Sequence, residues 1–444
     1  MLTSMSAESA VLEKIRPDAE EDARIKKAAD DLVKTVKDYI SVHDLDIKVR
    51  LVGSYAKGTY LSAPDLDLFM LFPEGTPHSI LEDIGLQAGE DILHGIRMYS
   101  EHPYTRGVFE GVSVDLVPSI ALKNTLKLQT AVDRTPFHTD YILSKLDDAK
   151  KDQVRLLKAF MKGIEAYGAE PNTRGFSGYL CELLIVKYGS FDEVLEAASD
   201  WREGTTIVIE KKGPPMIGPL VVYDPVDERR NVASAVHIDT MSLFIVAAKA
   251  YLEEPSERFF FPRKRVPLTK EELQKKTEEH GSRIMTVIFK RPDVVEDNLY
   301  SQLWKTQYAL TKKLNDFDYN VLRAVHNMTD DTLEIAFEIE RDVLSKTYKH
   351  AGPPVFVKTA ASFLNKWKDN EYGKPFIEDG CWNVIAERMY FTAQEMITDE
   401  AAISGIGREI DPDTMKILDH DTSVMSADPE LLTELLDPIQ IWER

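Results

Sequence analysis

Apolar residues recur at helical spacing over residues 18–43, where Ile25, Ala28, Leu32, Val36 and Ile40 mark one face among charged neighbours. An amphipathic helix is predicted there, and its acidic start and later lysines suit the helix dipole. Asp46 to Val52 then alternates polar and apolar positions, the period of a strand. The strand runs into Gly53-Ser54, and ten residues later Asp65-Leu66-Asp67 opens a second apolar strand through Phe72. Residues 79–97 read as a helix with Ser79 as N-cap. Tyr104–Phe109 and Val112–Val117 read as a hairpin turning at Glu110-Gly111 and stopped by Pro118. Glu101 and His102, just before it, read as structural. Residues 46–118 are therefore expected to form a small mixed sheet with helices.

From about residue 138 to 200 the period becomes helical. Gly178 to Val186 is apolar nearly all round, as in a buried helix, and Cys181 on it reads as a core residue. Strands are predicted at 205–210 and 219–223 and a helix at 238–253. The Pro-containing stretch 254–267 reads as a linker. Strands at 283–290 and 318–339 around a helix at 296–315 predict a second α/β unit. A helix at 354–370, a strand at 384–391 and short helices complete the chain.

With 444 residues, two to four domains are expected. No apolar run approaches the ~18 residues that span a bilayer, and the N-terminal stretch has no signal pattern, so no membrane partner is expected. The two cysteines, Cys181 and Cys381, lie 200 residues apart, which fits a reducing cytoplasm rather than a disulfide scaffold. Net charge is −21, from 54 basic and 75 acidic residues. A polyanion partner would therefore need locally basic surface.

The chemistry-bearing stretch is Gly53-Ser54 with Asp65-Leu66-Asp67. On a strand, residues i and i+2 share a face, so both carboxylates point the same way. Like charges that close favour a bridging cation. Hard oxygen ligands suit magnesium (Mg²⁺), which takes one or two carboxylates plus substrate phosphates. Asp115, on a strand able to lie alongside, makes a two-metal site plausible. Gly53 allows close backbone approach, Ser54 can cap the following helix, and Lys57 one turn on can pair with phosphate. The Walker A and GxGxxG patterns are absent, which argues against a P-loop kinase or ATPase.

Gly-Ser, acid-x-Asp and a later strand Asp resemble the nucleotidyltransferase superfamily of DNA polymerase β and poly(A) polymerases. GSYAKGTYLSAPDLDLFMLFP, EHPYTRGVFEGVSVDLVPS, AVDRTPFHTDYI, VRLLKAFMKGIEAYGAE, RGFSGYLCELLIVKYGSF, DPVDERRNVASAV and RPDVVEDNLYSQL closely resemble the archaeal (class I) CCA-adding enzymes. These strings span residues 53–303, and weaker likeness continues to the end. In class II enzymes the likeness is confined to the catalytic core.

The resemblance implies an α+β multidomain chain. Its parts would be a polymerase β-like catalytic head at 1–135, a helical neck with a nucleotide-binding central domain at 136–265, an α/β body at 266–350 and an α/β tail at 351–444. It implies ordered addition of C, C and A to the tRNA 3′ end from CTP and ATP, without a template and with release of pyrophosphate. Carried over by position, Asp65, Asp67 and Asp115 would be the metal-binding catalytic carboxylates. Gly53, Ser54 and Lys57 would hold the triphosphate. Thr135, His138, Lys158 and Tyr167 would line the triphosphate and ribose side, and Arg230 would face the base. Two departures stand out: Asp65 where the family often has Glu, and Lys57 where Arg is common, which keeps the charge but loses the bidentate fork.

The body and tail would hold the acceptor stem and elbow of tRNA by shape and backbone. Two basic segments, Arg258–Arg265 with three phenylalanines and residues 341–350 with Arg341, Lys346, Lys349 and His350, mix cations with aromatics as single-strand binders do. They read equally well as a linker with a buried Phe cluster and a solvated helix face. The oligomeric state is open, with a homodimer as one candidate. Two other readings compete: a different nucleotidyltransferase on the same core, such as a poly(A) polymerase, and a non-catalytic RNA-binding protein.

Overall fold

The computed structural model describes residues 7–99, 102–128, 130 and 132–444, so Glu101 lies outside the described residues. The chain divides into two compact units, residues 1–263 with 441–444, and residues 264–440.

The first unit begins with α1 (Ala7–Ile15), which the sequence pattern did not signal, and α2 (Ala19–Val42). The five apolar positions of α2 named above are all buried, and Asp18 caps its start by accepting from the Glu21 amide at 2.8 Å. Each such Leu, Ile or Val contributes about 1.5–3 kcal/mol on burial. Strand β1 (Lys48–Val52) leads into the short helix α3 (Gly53–Lys57) and then β2 (Leu66–Phe72). Helix α4 (His78–Leu93) is followed by β3 (Ile96–Tyr99), β4 (Pro103–Phe109) and β5 (Val112–Ile120).

Three expectations change here. Helix α4 starts after Pro77, so Ser79 lies inside it and is not the cap. Its predicted end is instead strand β3, because His94 takes a left-handed conformation (φ 48°) and stops the helix. Pro118 does not stop β5. Its carbonyl faces the β4 side, where His102 Nε2 meets it at 2.5 Å. A strand residue's N–H and C=O point the same way, and β4 pairs with β5 only as far as Thr105 opposite Leu116, so the missing proline N–H breaks no ladder bond there.

The five strands order as β1-β2-β5-β4-β3. Only β2 and β5 run parallel, the other pairs being antiparallel. Leu66, Leu68 and Met70 of β2 with Val114 and Leu116 of β5 bury against α2 and α4 on one face. Asp67 and Asp115 alternate with these, so they emerge on the other face, ahead of Phe69 and Val117.

The rest of the unit is α5 (Thr135–Lys145), α6 (Asp148–Gly163), α7 (Gly178–Tyr188), α8 (Phe191–Ser199), the parallel pair β6 (Thr205–Val208) and β7 (Leu220–Tyr223), and α9 (Ile238–Glu253). Its core centres on Phe160, whose ring lies 5.5–6.3 Å from those of Phe191, Phe244, Tyr251, Phe259 and Phe260. The stretch 254–267 is thus no free linker: Phe259 and Phe260 are buried, and Trp442 from the returning chain end stacks on Phe259 at 5.3 Å.

The second unit holds α10 (Lys270–His280), β8 (Arg283–Lys290), α11 (Glu296–Asp316), β9 (Val321–Met328) and β10 (Thr332–Ile339). Next come β11 (Thr347–Pro354), α12 (Ala360–Trp367), β12 (Phe376–Glu378), β13 (Cys381–Glu387), α13 (Ala393–Glu400), β14 (Lys416–Leu418), α14 (His420–Ser426) and α15 (Pro429–Leu436). Two sheets form, β14-β8-β10-β9 and β11-β13-β12. Residues after 415 therefore return to the sheet begun at 283, and a break at 350/351 does not separate two cores. The segment 341–350 carries a strand rather than a helix face, and most of the helix expected from 354 is confined to α12.

Candidate active site

The site is built where β2 and β5 run side by side. Asp67 stands directly opposite Asp115 in the parallel register, and Val52 opposite Asp67 on the other side. Asp65 immediately precedes β2. Burial, then Asp115, then Asp65 push the Asp67 carboxyl up to about 7. Carboxylates this close are under mutual repulsion that only a cation or a proton relieves.

Gly53 sits against them in a left-handed conformation (φ 71°), and a Cβ there would fall 1.8 Å from Asp67 Oδ2. The residue is glycine for both reasons. Gly53→Ala is expected to displace the Asp67 carboxylate and cut kcat by about 100-fold, the cost of misplacing a reacting group by ~1 Å. Steady-state kinetics beside a melting curve checks this, since the loss of activity should exceed any loss of folded protein. Ser54 is not the helix cap. That position is Val52, and Ser54 lies in the first turn with its carbonyl accepting from Thr59 at 3.0 Å.

Arg106, the β4 partner of Asp115, grips that carboxylate with two bonds of 2.7 Å. This pairing raises the Arg106 pKa further. The donor set of Asp65, Asp67 and Asp115 suits a hard divalent cation, because the like charges of Asp67 and its neighbours lack a sufficient counter-ion. Arg106 must share or release Asp115 for all three to reach an ion, and no preformed cage of three such ligands stands among the described residues.

Beyond the carboxylates lies a buried charge cluster. Lys57 Nζ donates to Glu182 Oε2 at 2.6 Å, Thr59 Oγ1 to Glu182 Oε1 at 2.6 Å, and Lys158 Nζ to Glu182 Oε1 at 3.2 Å. Glu182 is wholly buried. Burial pushes its pKa up, but Lys57 and Lys158 overcome this and hold it near 2. Lys158 moves the other way, lowered by burial against the pull of Glu182. Two lysines on one carboxylate leave one positive charge over, which suits an anion at this place. Tyr167 borders Lys158: a Cβ on Gly178 would lie 2.8 Å from the Tyr167 hydroxyl and 3.5 Å from Lys158 Nζ.

A third group gathers around Asp224. His138 stacks on Tyr179 with ring centroids 3.9 Å apart, and Lys57 Nζ lies 5.8 Å from the Tyr179 ring centroid. His138, Tyr179 and Arg230 all bond Asp224. The structure thus links Lys57, Lys158, Tyr167, His138 and Arg230 in one continuous cluster beside the aspartates. Thr135 joins it only through α5, which it begins, one turn before His138.

Sequence reading missed Glu182, Asp224, Tyr179, Thr59 and Arg106. Glu182 had a signal, a lone carboxylate inside the otherwise apolar Gly178–Val186 run, since a buried charge needs partners. Cys181 beside it is buried and its thiol is pushed up to about 12 by burial, as expected of an inert core cysteine. The basic stretch 258–265 is less free than its composition suggested: Arg258 pairs with Glu254, Lys264 with Glu430, and Arg265 with Glu434 and Asp437. Lys346 and Lys349 likewise pair with Glu387 and Glu378.

Facing aspartates on a parallel strand pair, a glycine-bordered turn and a buried cationic cluster define a nucleotidyltransferase head, and residues 30–138 match the nucleotidyltransferase domain family. Residues 152–261 match the tRNA nucleotidyltransferase second domain, and residues 280–419 the CCA-adding enzyme C-terminal domain. The CCA-adding enzyme of Picrophilus torridus is 35% identical over 410 residues, covering 92% of this chain and 94% of that one. That of Methanosarcina barkeri is 37% identical over 413 residues, 90% of each. That of Haloarcula marismortui is 35% identical over 426 residues, 90% of this chain and 91% of the relative. The chain belongs to the CCA-adding enzyme family. Among the described residues no helix is long and apolar enough to cross a membrane.

Proposed function

We propose that this enzyme adds C, C and A in turn to the 3′ end of tRNA, taking CTP and ATP and releasing pyrophosphate without a nucleic-acid template. The observation that carries this reading is the identity of about one third to family members over some nine-tenths of both chains, joined to the Asp67–Asp115 register. Asp65, Asp67 and Asp115 would hold Mg²⁺. When bound there, the ion polarises the attacking hydroxyl and neutralises charge on the phosphates.

Everything else falls to side chains. Gly53 lets the triphosphate approach the backbone, Ser54 and Lys57 bind it, and Lys158 on α6 with Tyr167, between α6 and α7, extends the contact. Thr135 and His138 line the ribose side, and Arg230 faces the base. The 3′ hydroxyl attacks the α-phosphorus in line, pyrophosphate leaves with the pair of electrons of the broken P–O bond, and no covalent enzyme intermediate is needed. A fixed guanidinium offers only donors, so C and A are accepted where their acceptor atoms meet it. A base presenting N–H there leaves buried donors unpaired, at about 1–3 kcal/mol each. Residues from about 270 onward would hold the acceptor stem and elbow.

tRNA ending in CC, offered each nucleotide separately, tests the reading: one A and nothing else is expected, and repeated A addition would point to a poly(A) polymerase instead. The metal assignment has its own pH signature. Asp67 is protonated below about 7, and an ion binds only the carboxylate. Apparent Mg²⁺ affinity, measured by calorimetry, should fall by up to about tenfold per pH unit below 7 and level off above it.

A further inference from the structure

We infer that Asp224 is a positioning residue for nucleotide selection, holding Arg230 and His138 in fixed orientation toward the substrate. This rests on the assignment of Arg230 to the base. Asp224 follows β7 and is wholly buried. His138 Nε2 and Arg230 Nη1 both reach its Oδ2 at 3.0 Å, while the Tyr179 hydroxyl at 3.2 Å and the Val226 amide at 3.0 Å donate to Oδ1.

A carboxylate offers about four lone-pair directions, and four donors take them. The neighbouring loop is pinned as well: the Asp224 amide donates to the Arg230 carbonyl at 3.2 Å, and the Arg230 amide to the Asp227 carbonyl at 2.9 Å. Arg230 is therefore held at its backbone and at one guanidinium nitrogen. Its side chain keeps 34% exposure, and the remaining N–H groups of the fork are available to a ligand.

Orientation is what a discriminating arginine needs. A freely rotating guanidinium can follow the acceptors of any base, whereas one clamped at Nη1 presents a single donor pattern. The same carboxylate fixes the tautomer of His138. Burial keeps that imidazole neutral, against the opposing pull of Asp224. With Nε2–H donating to Asp224, Nδ1 is left as an acceptor. Removing a buried carboxylate strands its donors whatever its role, so loss of stability alone would not mark a positioning residue. Here two of its four partners are the side chains assigned to the nucleotide.

The test is the ratio of kcat/KM for CTP over UTP on tRNA lacking its last three nucleotides. It is measured for the full-length enzyme, Asp224→Asn, Arg230→Ala and the double variant. Asn keeps an oxygen for Tyr179 and Val226 but turns an NH₂ toward the two donors on the other side. The ratio should fall about tenfold in Asp224→Asn, mainly through a raised KM for CTP. The double variant should be no worse than Arg230→Ala, because the two act as one unit. Asp224→Glu keeps the charge but shifts it by one methylene; it is the second variant should Asn not fold, and the same loss is expected. If Arg230→Ala loses selectivity while the Asp224 variants keep it, or the two losses multiply, the positioning role is overturned and the Arg230 assignment stands. If Arg230→Ala itself keeps the ratio, both are overturned.

Discussion

Asp67→Ala and Asp115→Ala are each expected to abolish nucleotide incorporation while leaving tRNA affinity close to that of the unsubstituted enzyme. The two residues face each other across parallel strands, and each substitution removes a carboxylate proposed to hold the cation that balances phosphate charge. Losing several kcal/mol of that balance, at about 1.4 kcal/mol per decade, lowers kcat on the order of 10³-fold or more. The two variants differ in one respect. Asp115→Ala strands Arg106, which is 44% exposed and rehydrates readily. Asp67→Ala removes a strained carboxylate, so it should cost little stability. Single-turnover incorporation and a tRNA binding isotherm on the same preparations check this, and full activity in either variant would refute the metal assignment.

The largest stability effect is expected at Glu182. Replacing it by Leu leaves Lys57 and Lys158 buried without their shared carboxylate. Breaking a buried pair by deleting one partner costs about 3–5 kcal/mol, and the unit holding residues 1–263 should unfold at correspondingly lower denaturant. Glu182→Gln keeps the volume and the Thr59 contact and should lose less. Both variants should bind triphosphate poorly, because the lysines lose the carboxylate that positions them. A denaturation series with CTP present and absent separates these effects: the stabilisation conferred by CTP should shrink along with the stability itself. An unchanged midpoint in Glu182→Leu would show that the lysines find other partners.

Much of this was legible in one dimension. The apolar face of α2, the alternation in β1 and the hairpin of β4 and β5 are local patterns, and local sequence carries them. The facing of Asp67 and Asp115 follows from strand alternation, whereas Asp65 lies just before β2 and not on its face. What local patterns do not carry is partnership across long separations. Glu182 lies 125 residues from Lys57, and Asp224 lies 86 from His138. Lys158 on its apolar helix and Arg230 in its charge run gave no sign of the carboxylates that hold them. Strand β3 was absorbed into α4 because His94 and Gly95 end that helix by backbone conformation, not by a break in polarity. Phe259 and Phe260 read either as an RNA platform or as a buried cluster within a linker, and the buried cluster holds. Their place in the Phe160 core depends on helices far away in sequence.

Where synthesis stops is read by sequencing the product ends. tRNA lacking its last three nucleotides is incubated with CTP and ATP together, and the 3′ ends of the products are sequenced. C, then C, then A should be added, with termination at that length in the presence of excess nucleotide. Open-ended A tails, or ends with C and A in variable order, would contradict it.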